Sequence, residues 1–143
     1  MEYLWLIFAI LSAVCAAAVA IFGKIGLQGI DPNTATAIRA IVMAIFLVTF
    51  VLITDRFSNL SSILANKKAV LFIILGGIAG AMSWLFYFMA LKLGKVSQVA
   101  PVDRLSVVFA IILAFMFLGE HISVRAGIGA AMLTVGAILI ALG

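Results

Sequence analysis

Charge is scarce in this sequence. Nine Lys and Arg with five Asp and Glu make 10% of 143 residues charged, against 67% hydrophobic, and there is one His. A soluble domain carries about 25% charged residues, and so short a chain has too little interior to hide that much apolar surface. A soluble enzyme and a disordered chain are thereby excluded. Cysteine is nearly absent too: Cys15 stands alone, so a disulfide scaffold is excluded and the redox compartment cannot be read from it. The lone His121 lacks companion ligands, so neither a metal site nor a cofactor is expected. No nucleophile–base pair and no paired carboxylates lie at depth, so an enzyme is not expected either. What remains, with a mean hydropathy of +1.40, is an integral membrane protein.

The basic residues Lys24, Arg39, Arg56, Lys67, Lys68, Lys92, Lys95, Arg104 and Arg125 fall singly or in pairs, mostly between apolar runs. No stripe follows a phosphate backbone, so nucleic acid is not a partner. Such residues are topology determinants of membrane spans. The N-terminus opens without a basic residue and its apolar run continues to Phe22, too long for a signal peptide. Ser12-Ala13-Val14-Cys15 is a poor lipoprotein box, and the first segment is expected to stay as a membrane helix.

A spanning helix needs about 20 mainly apolar residues. Five runs qualify, near 3–22, 33–54, 69–91, 99–118 and 124–142. They are continuous rather than alternating, which excludes a β-barrel. Gly23, Gly26 and Gly29 end the first, and Asp31-Pro32 reads as an N-cap with a first-turn proline. Asn66, Ser97 and Ser123 are candidate caps of the third, fourth and fifth runs. Pro101 is expected in or near the fourth run's first turn, where proline is tolerated. Gly94 and Gly119 are candidate stops. Residues 55–66 read as a short interfacial helix. The expectation is one all-α domain over 1–143, a five-transmembrane-helix bundle without linker or tail.

An odd number of spans puts the termini on opposite faces. Arg56, Lys67, Lys68 and Arg125 share the N-terminal face; Lys24, Lys92 and Lys95 share the other, with Arg39 and Arg104 one to two turns inside. Orientation needs an asymmetry of basic residues, and here it is nearly absent. Either the lysine pair or the first helix still decides, or the chain inserts both ways and forms an antiparallel homodimer. Secondary transporters are often two inverted halves with the substrate at their interface. Five spans encode one inverted-repeat half of a ten-helix transporter.

Ionisable groups at membrane depth face protein or water and are site candidates. Arg39 lies seven residues past Pro32, about 10 Å along the helix at 1.5 Å per residue. It contacts ligand or partner, or snorkels. Asp103 sits near a helix N-terminus, which favours an anion. It either pairs structurally with Arg39 or Lys24 or serves with Arg104 as a gate. On the third span Gly76, Gly80, Ser83, Trp84 and Tyr87 share one face. Gly76 and Gly80 permit close helix approach, and Ser83, Trp84 and Tyr87 are candidates for a cavity wall able to hold flat or cationic solutes. Ser12 and Ser106 are polar positions on small-residue faces. Gly129 and Gly136 stand one heptad apart and suit a helix or dimer seam. Glu120 and His121 read as a solvated loop.

The order of these features resembles the EamA-like half-unit of the drug/metabolite transporter superfamily. The residues that carry the likeness are Ala37-Ile38-Arg39-Ala40, Tyr87-Phe88-Met89-Ala90-Leu91, the proline-led fourth span from Pro101, its close at Phe117-Leu118-Gly119-Glu120, and the glycine-containing fifth span. The resemblance implies a multi-pass protein of a bacterial-type cytoplasmic membrane, in a family whose full-length members carry two inverted five-helix repeats and mostly export metabolites or drugs. It also marks Glu120 as a structural anchor. One repeat fits a homodimer. The small multidrug resistance proteins are similar in size, but they have four spans and a first-helix glutamate, absent here, so their proton-antiport residue is not carried over. The reading is a small-molecule transporter, an exporter by resemblance, working as a homodimer by alternating access. A non-transporting membrane scaffold or accessory subunit is the alternative. Its partners are membrane lipid, a second copy of itself and a small-molecule substrate, whose charge the sequence leaves open. Basic residues at one mouth favour an anion; Asp103 and the aromatics favour a cation.

Overall fold

The structure, a computed structural model, describes residues 3–143; residues 1 and 2 of the expected 1–143 domain, Glu2 included, lie outside the described residues. The described chain is helical, with five helical segments long and apolar enough to cross a membrane. Helix α1 is Leu4–Gly26, α2 Pro32–Ile53, α3 Leu60–Ala65, α4 Lys67–Leu93, α5 Val96–Asp103, α6 Ser106–Leu113 and α7 Val124–Leu142. A 3-10 turn, Phe57–Asn59, precedes α3, so the connection between the second and third spans is partly helical. The chain divides into two compact units. One joins the residues up to Ile25 with Leu93–Gly143; the other is Gly26–Lys92.

Local chemistry sets the ends. The Asp31 carboxylate accepts from the Thr34 N–H at 2.8 Å, with Pro32 in the first turn. Asn66 Oδ1 accepts from the Ala69 N–H and Ser123 Oγ from the Ala126 N–H, each at 3.1 Å. These are three of the expected caps, each meeting a donor the first turn leaves orphaned. Gly119 closes the fourth span with φ +68°, a left-handed conformation that favours glycine. The first span runs on to Gly26, and the left-handed residue is Gly29, at φ +74°.

The fourth span departs from expectation at its start. It begins at Val96 rather than near 99, its N-cap is Lys95, and Ser97 lies inside the helix without a capping bond. Pro101 is therefore the sixth helical residue, not a first-turn one. Proline in that position removes a backbone donor and crowds the carbonyl four residues back. The helix breaks shortly afterwards: N–H groups of Leu105, Val107 and Val108 donate to carbonyls three residues back, at 2.9–3.1 Å. This tightened stretch separates α5 from α6. The span then widens into a π turn, Ala114–Leu118, with the Glu120 N–H donating to the Ala114 carbonyl at 3.3 Å.

Within the first unit α5 and α7 are the most closely packed pair of helices. Ala137 of α7 is buried, and Gln98 of α5 donates from Nε2 to the Ala141 carbonyl at 3.4 Å. Lys24 Nζ donates to the Gly94 carbonyl at 2.7 Å. Both bonds satisfy carbonyls that helix ends leave without an intrahelical donor.

Candidate functional site

The second unit holds a groove between α2 and α4 with a volume of about 560 Å³. Its α2 wall runs from Asn33 to Leu47, about 21 Å at 1.5 Å per residue. Its α4 wall is the series Gly76, Gly77, Gly80, Ala81, Trp84 and Leu85. Spacings of three and four residues place these on one helical face. At Gly76, Gly77 and Gly80 an added Cβ would meet no atom within 4 Å. Among the described residues nothing approaches Gly76 or Gly80 closely, and the two glycines leave the groove open there.

Arg39 is placed by the α2 N-terminus. Thr34 donates to Asp31 from its hydroxyl as well, at 2.9 Å. The bonds from the Thr34 backbone N–H and then its hydroxyl hold the Asp31 carboxyl below its ordinary range, with the positive charge of Lys92 adding to the effect. Two turns further on, Arg39 reaches α4. Its Cζ lies 3.5 Å from the Trp84 ring centroid and 4.6 Å from that of Phe88. The guanidinium carbon thus sits against the indole, within cation–π range. Cation–π contacts contribute about 0.5–2 kcal/mol, the upper end when water is excluded.

Trp84 and Phe88 are one helical turn apart and stack at 5.7 Å with 26° between their planes. Tyr87 meets both edge-on, at 5.8 Å and 89° to Trp84 and at 5.9 Å and 81° to Phe88. Phe88 is only 4% exposed. The three rings brace each other and fix the face on which the arginine rests. Arg39 Nε is buried and has no hydrogen-bond partner, although an unsatisfied buried donor costs about 1–3 kcal/mol. Thr36, also buried, spends its hydroxyl on the Pro32 carbonyl at 2.7 Å and offers the groove no free donor. No carboxylate lines the groove among the described residues.

The structure thus brings Arg39, Trp84 and Tyr87 together, with Gly76 and Gly80 along the same groove. Ser83 is exposed, and neither it nor Tyr87, which reaches the site through its ring contact with Trp84, forms part of the groove wall. Ser12, Asp103, Arg104 and Ser106 belong to the other unit. Asp103 is half-buried on α5, Arg104 stands exposed at the break between α5 and α6, and Ser12 and Ser106 are exposed. Gly129 and Gly136 on α7 also leave open space, with no atom within 4 Å of an added Cβ. Sequence reasoning did not single out Phe88 and Thr36. Phe88 was legible as the residue one turn after Trp84; Thr36 carries no sequence signal, because its burial depends on packing. In the first unit a second hollow, about 410 Å³, lies beside the π turn, with Ala110, Ala114, Glu120 and His121 among its walls. No cluster of potential metal ligands occurs among the described residues.

Five helices long and apolar enough to cross a membrane define a multi-pass membrane protein in contact with lipid. The chain belongs to the EamA-like transporter family, whose family model matches residues 3–142. It is also 39% identical over 141 residues, covering 99% of both chains, to a Sinorhizobium protein described as "Uncharacterized transporter in cobO 3'region". No solved structure matches the chain.

Proposed function

We propose that the protein exports a small metabolite or drug-like molecule across the cell membrane, by alternating access, as a homodimer of inverted copies. Residues 1–143 act as one five-helix domain, half of the transport path. The observation that supports this best is the α2–α4 groove with Arg39 inside its span. A charged side chain at membrane depth is costly and is retained where it meets protein, water or solute. Arg39, Trp84 and Tyr87 contact the solute. Ser12, Ser83, Asp103, Arg104 and Ser106 serve as further cavity or gating contacts. Gly129 and Gly136 leave room on α7 for a helix of the partner copy, and the near balance of basic residues favours insertion in both orientations.

Transport by the full chain in proteoliposomes, scanned over a mixture of metabolites and dyes for wild type and Arg39→Gln, tests the function. Flux that falls with the substitution supports the reading. A wild type that moves no compound argues for an accessory membrane subunit; flux indifferent to Arg39 keeps transport and removes Arg39 from the solute path. Paired C-terminal reporters, one active only in the cytoplasm and one only outside, test the inverted dimer; activity from a single reporter rules it out.

A further inference from the structure

We propose that the α2–α4 groove binds a flat organic anion, with its carboxylate at Arg39 and its apolar body along the glycine stretch of α4. This rests on the transporter reading and names the substrate class for the same groove. Taken alone, the residue types admit either charge, since aromatic faces hold cations well. The geometry removes that ambiguity. The Trp84 face already carries a cation, the Arg39 guanidinium at 3.5 Å, and Phe88 shares it at 4.6 Å. A second cation would meet repulsion there and no compensating carboxylate, since none lines the groove.

Stacking also aims the arginine. A planar guanidinium keeps its N–H bonds in its own plane, so contact through its face leaves the edge able to turn away from the ring. Nε is buried and unpartnered, which leaves the terminal Nη groups as the donors that present an edge. Two parallel N–H bonds match the two oxygens of a carboxylate, and such charge-assisted pairs are strong where water is scarce. Beyond Arg39 the groove offers Ala40, Met43, Ala44, Gly76 and Gly80, an apolar lining in which the two glycines carry no side chain. A volume of about 560 Å³ falls within the usual range for small-molecule sites. The oxyanion could also come from a lipid headgroup. The test separates that source from a free solute.

The test uses the full chain with Trp5→Phe, so that Trp84 is the one remaining tryptophan and reports from the site. Benzoate, phenylacetate and benzamidinium are titrated at pH 7.5, in detergent and in phosphatidylcholine nanodiscs, while Trp84 emission is followed. Both carboxylates should saturate, with benzamidinium at least tenfold weaker. Arg39→Gln should weaken benzoate at least tenfold, and Arg39→Lys, which keeps the charge but loses the fork, by a smaller factor. The proposal is overturned if benzamidinium binds as tightly as benzoate, if the carboxylates give no saturable response, or if Arg39→Gln leaves benzoate binding intact. It is equally overturned if added phosphatidylglycerol produces the Trp84 response and benzoate does not, which assigns the site to a headgroup. Should Arg39→Gln fail to fold, the comparison of oppositely charged probes in the Trp5→Phe protein still decides. Flux separates the two readings. Benzamidinium flux without benzoate flux keeps the transporter and discards the anion site; benzoate binding with no flux keeps the site and discards transport.

Discussion

Lys24 of one unit and Arg39 of the other are held in different ways, the first by a backbone carbonyl and the second by aromatic rings. Where α5 and α7 close on each other, Gln98 spends its amide on the Ala141 carbonyl, and in the same unit Lys24 spends a donor on the Gly94 carbonyl. Between α2 and α4, where glycines face empty space, Arg39 rests on Trp84 and Phe88 and its buried Nε bonds to nothing. A bond to a backbone carbonyl closes an account within the fold. A cation on a ring is held in place but keeps its capacity for an acceptor, since stacking uses the face of the guanidinium and leaves its edge. The first unit is closed at the α5–α7 seam, and the second is open along the α2–α4 groove.

The sharpest break of that contrast is Arg39→Gln. Hydrogen bonds to charged groups contribute about 1.5–3 kcal/mol, so transport of the preferred solute should fall about 10- to 150-fold. Gln98→Ala in the closed unit should leave it within about twofold, as initial rates normalised to reconstituted protein will tell. Equal losses would erase the distinction.

Filling space sharpens it further. Gly80→Leu meets no atom near its Cβ, so melting in detergent should barely move while transport drops about tenfold from a blocked groove. Ala137→Leu, at a position 4% exposed, should do the reverse. Overpacking there costs about 1–3 kcal/mol and should lower the melting temperature.

Trp84→Ala removes the ring beneath the guanidinium. Losing about 0.5–2 kcal/mol of cation–π attraction corresponds to about 2- to 30-fold weaker binding of the solute. Trp84→Phe, which keeps a π face, should recover most of it. Recovery in Trp84→Leu as well would mean that apolar contact alone holds the arginine.

The smallest effect concerns the start of α2. Asp31 has its folded pKa depressed by the Thr34 N–H. Its ionised form therefore adds stability that is fully present above the unfolded value, about 3.9, and is lost as pH falls through the lower folded value. Melting of the wild type should be flat from neutral pH to about pH 4 and decline below it. Asp31→Asn keeps an acceptor for the cap but does not titrate, so it should flatten that decline; an unchanged acid limb would remove Asp31 from the account.

Much of the fold is written locally, and that is why it was legible. Apolar runs of about 20 residues have no stable alternative to a helix in hydrocarbon, because every backbone polar group must be satisfied internally. Asp31, Asn66 and Ser123 act within three residues of themselves. Ser97 did not, because Val96 already continues the helical pattern from Lys95, and once the helix starts there Pro101 falls in its interior and breaks it. Within the site, Trp84 and Tyr87 could be placed on one face by helical spacing. The role of Gly76 and Gly80 could not, since small residues permit close approach without requiring it.

The sequence by itself determined that this chain carries five helices long and apolar enough to cross a membrane, that Asp31, Asn66 and Ser123 cap three of them, and that an arginine stands two turns inside the second. Each follows from chemistry between neighbours along the chain. Only the tertiary structure decided what that arginine meets. The rings that would otherwise offer a face to a cation lie under Arg39 itself. Contact between residues 45 positions apart depends on how α2 and α4 come together in space, and no local pattern encodes it.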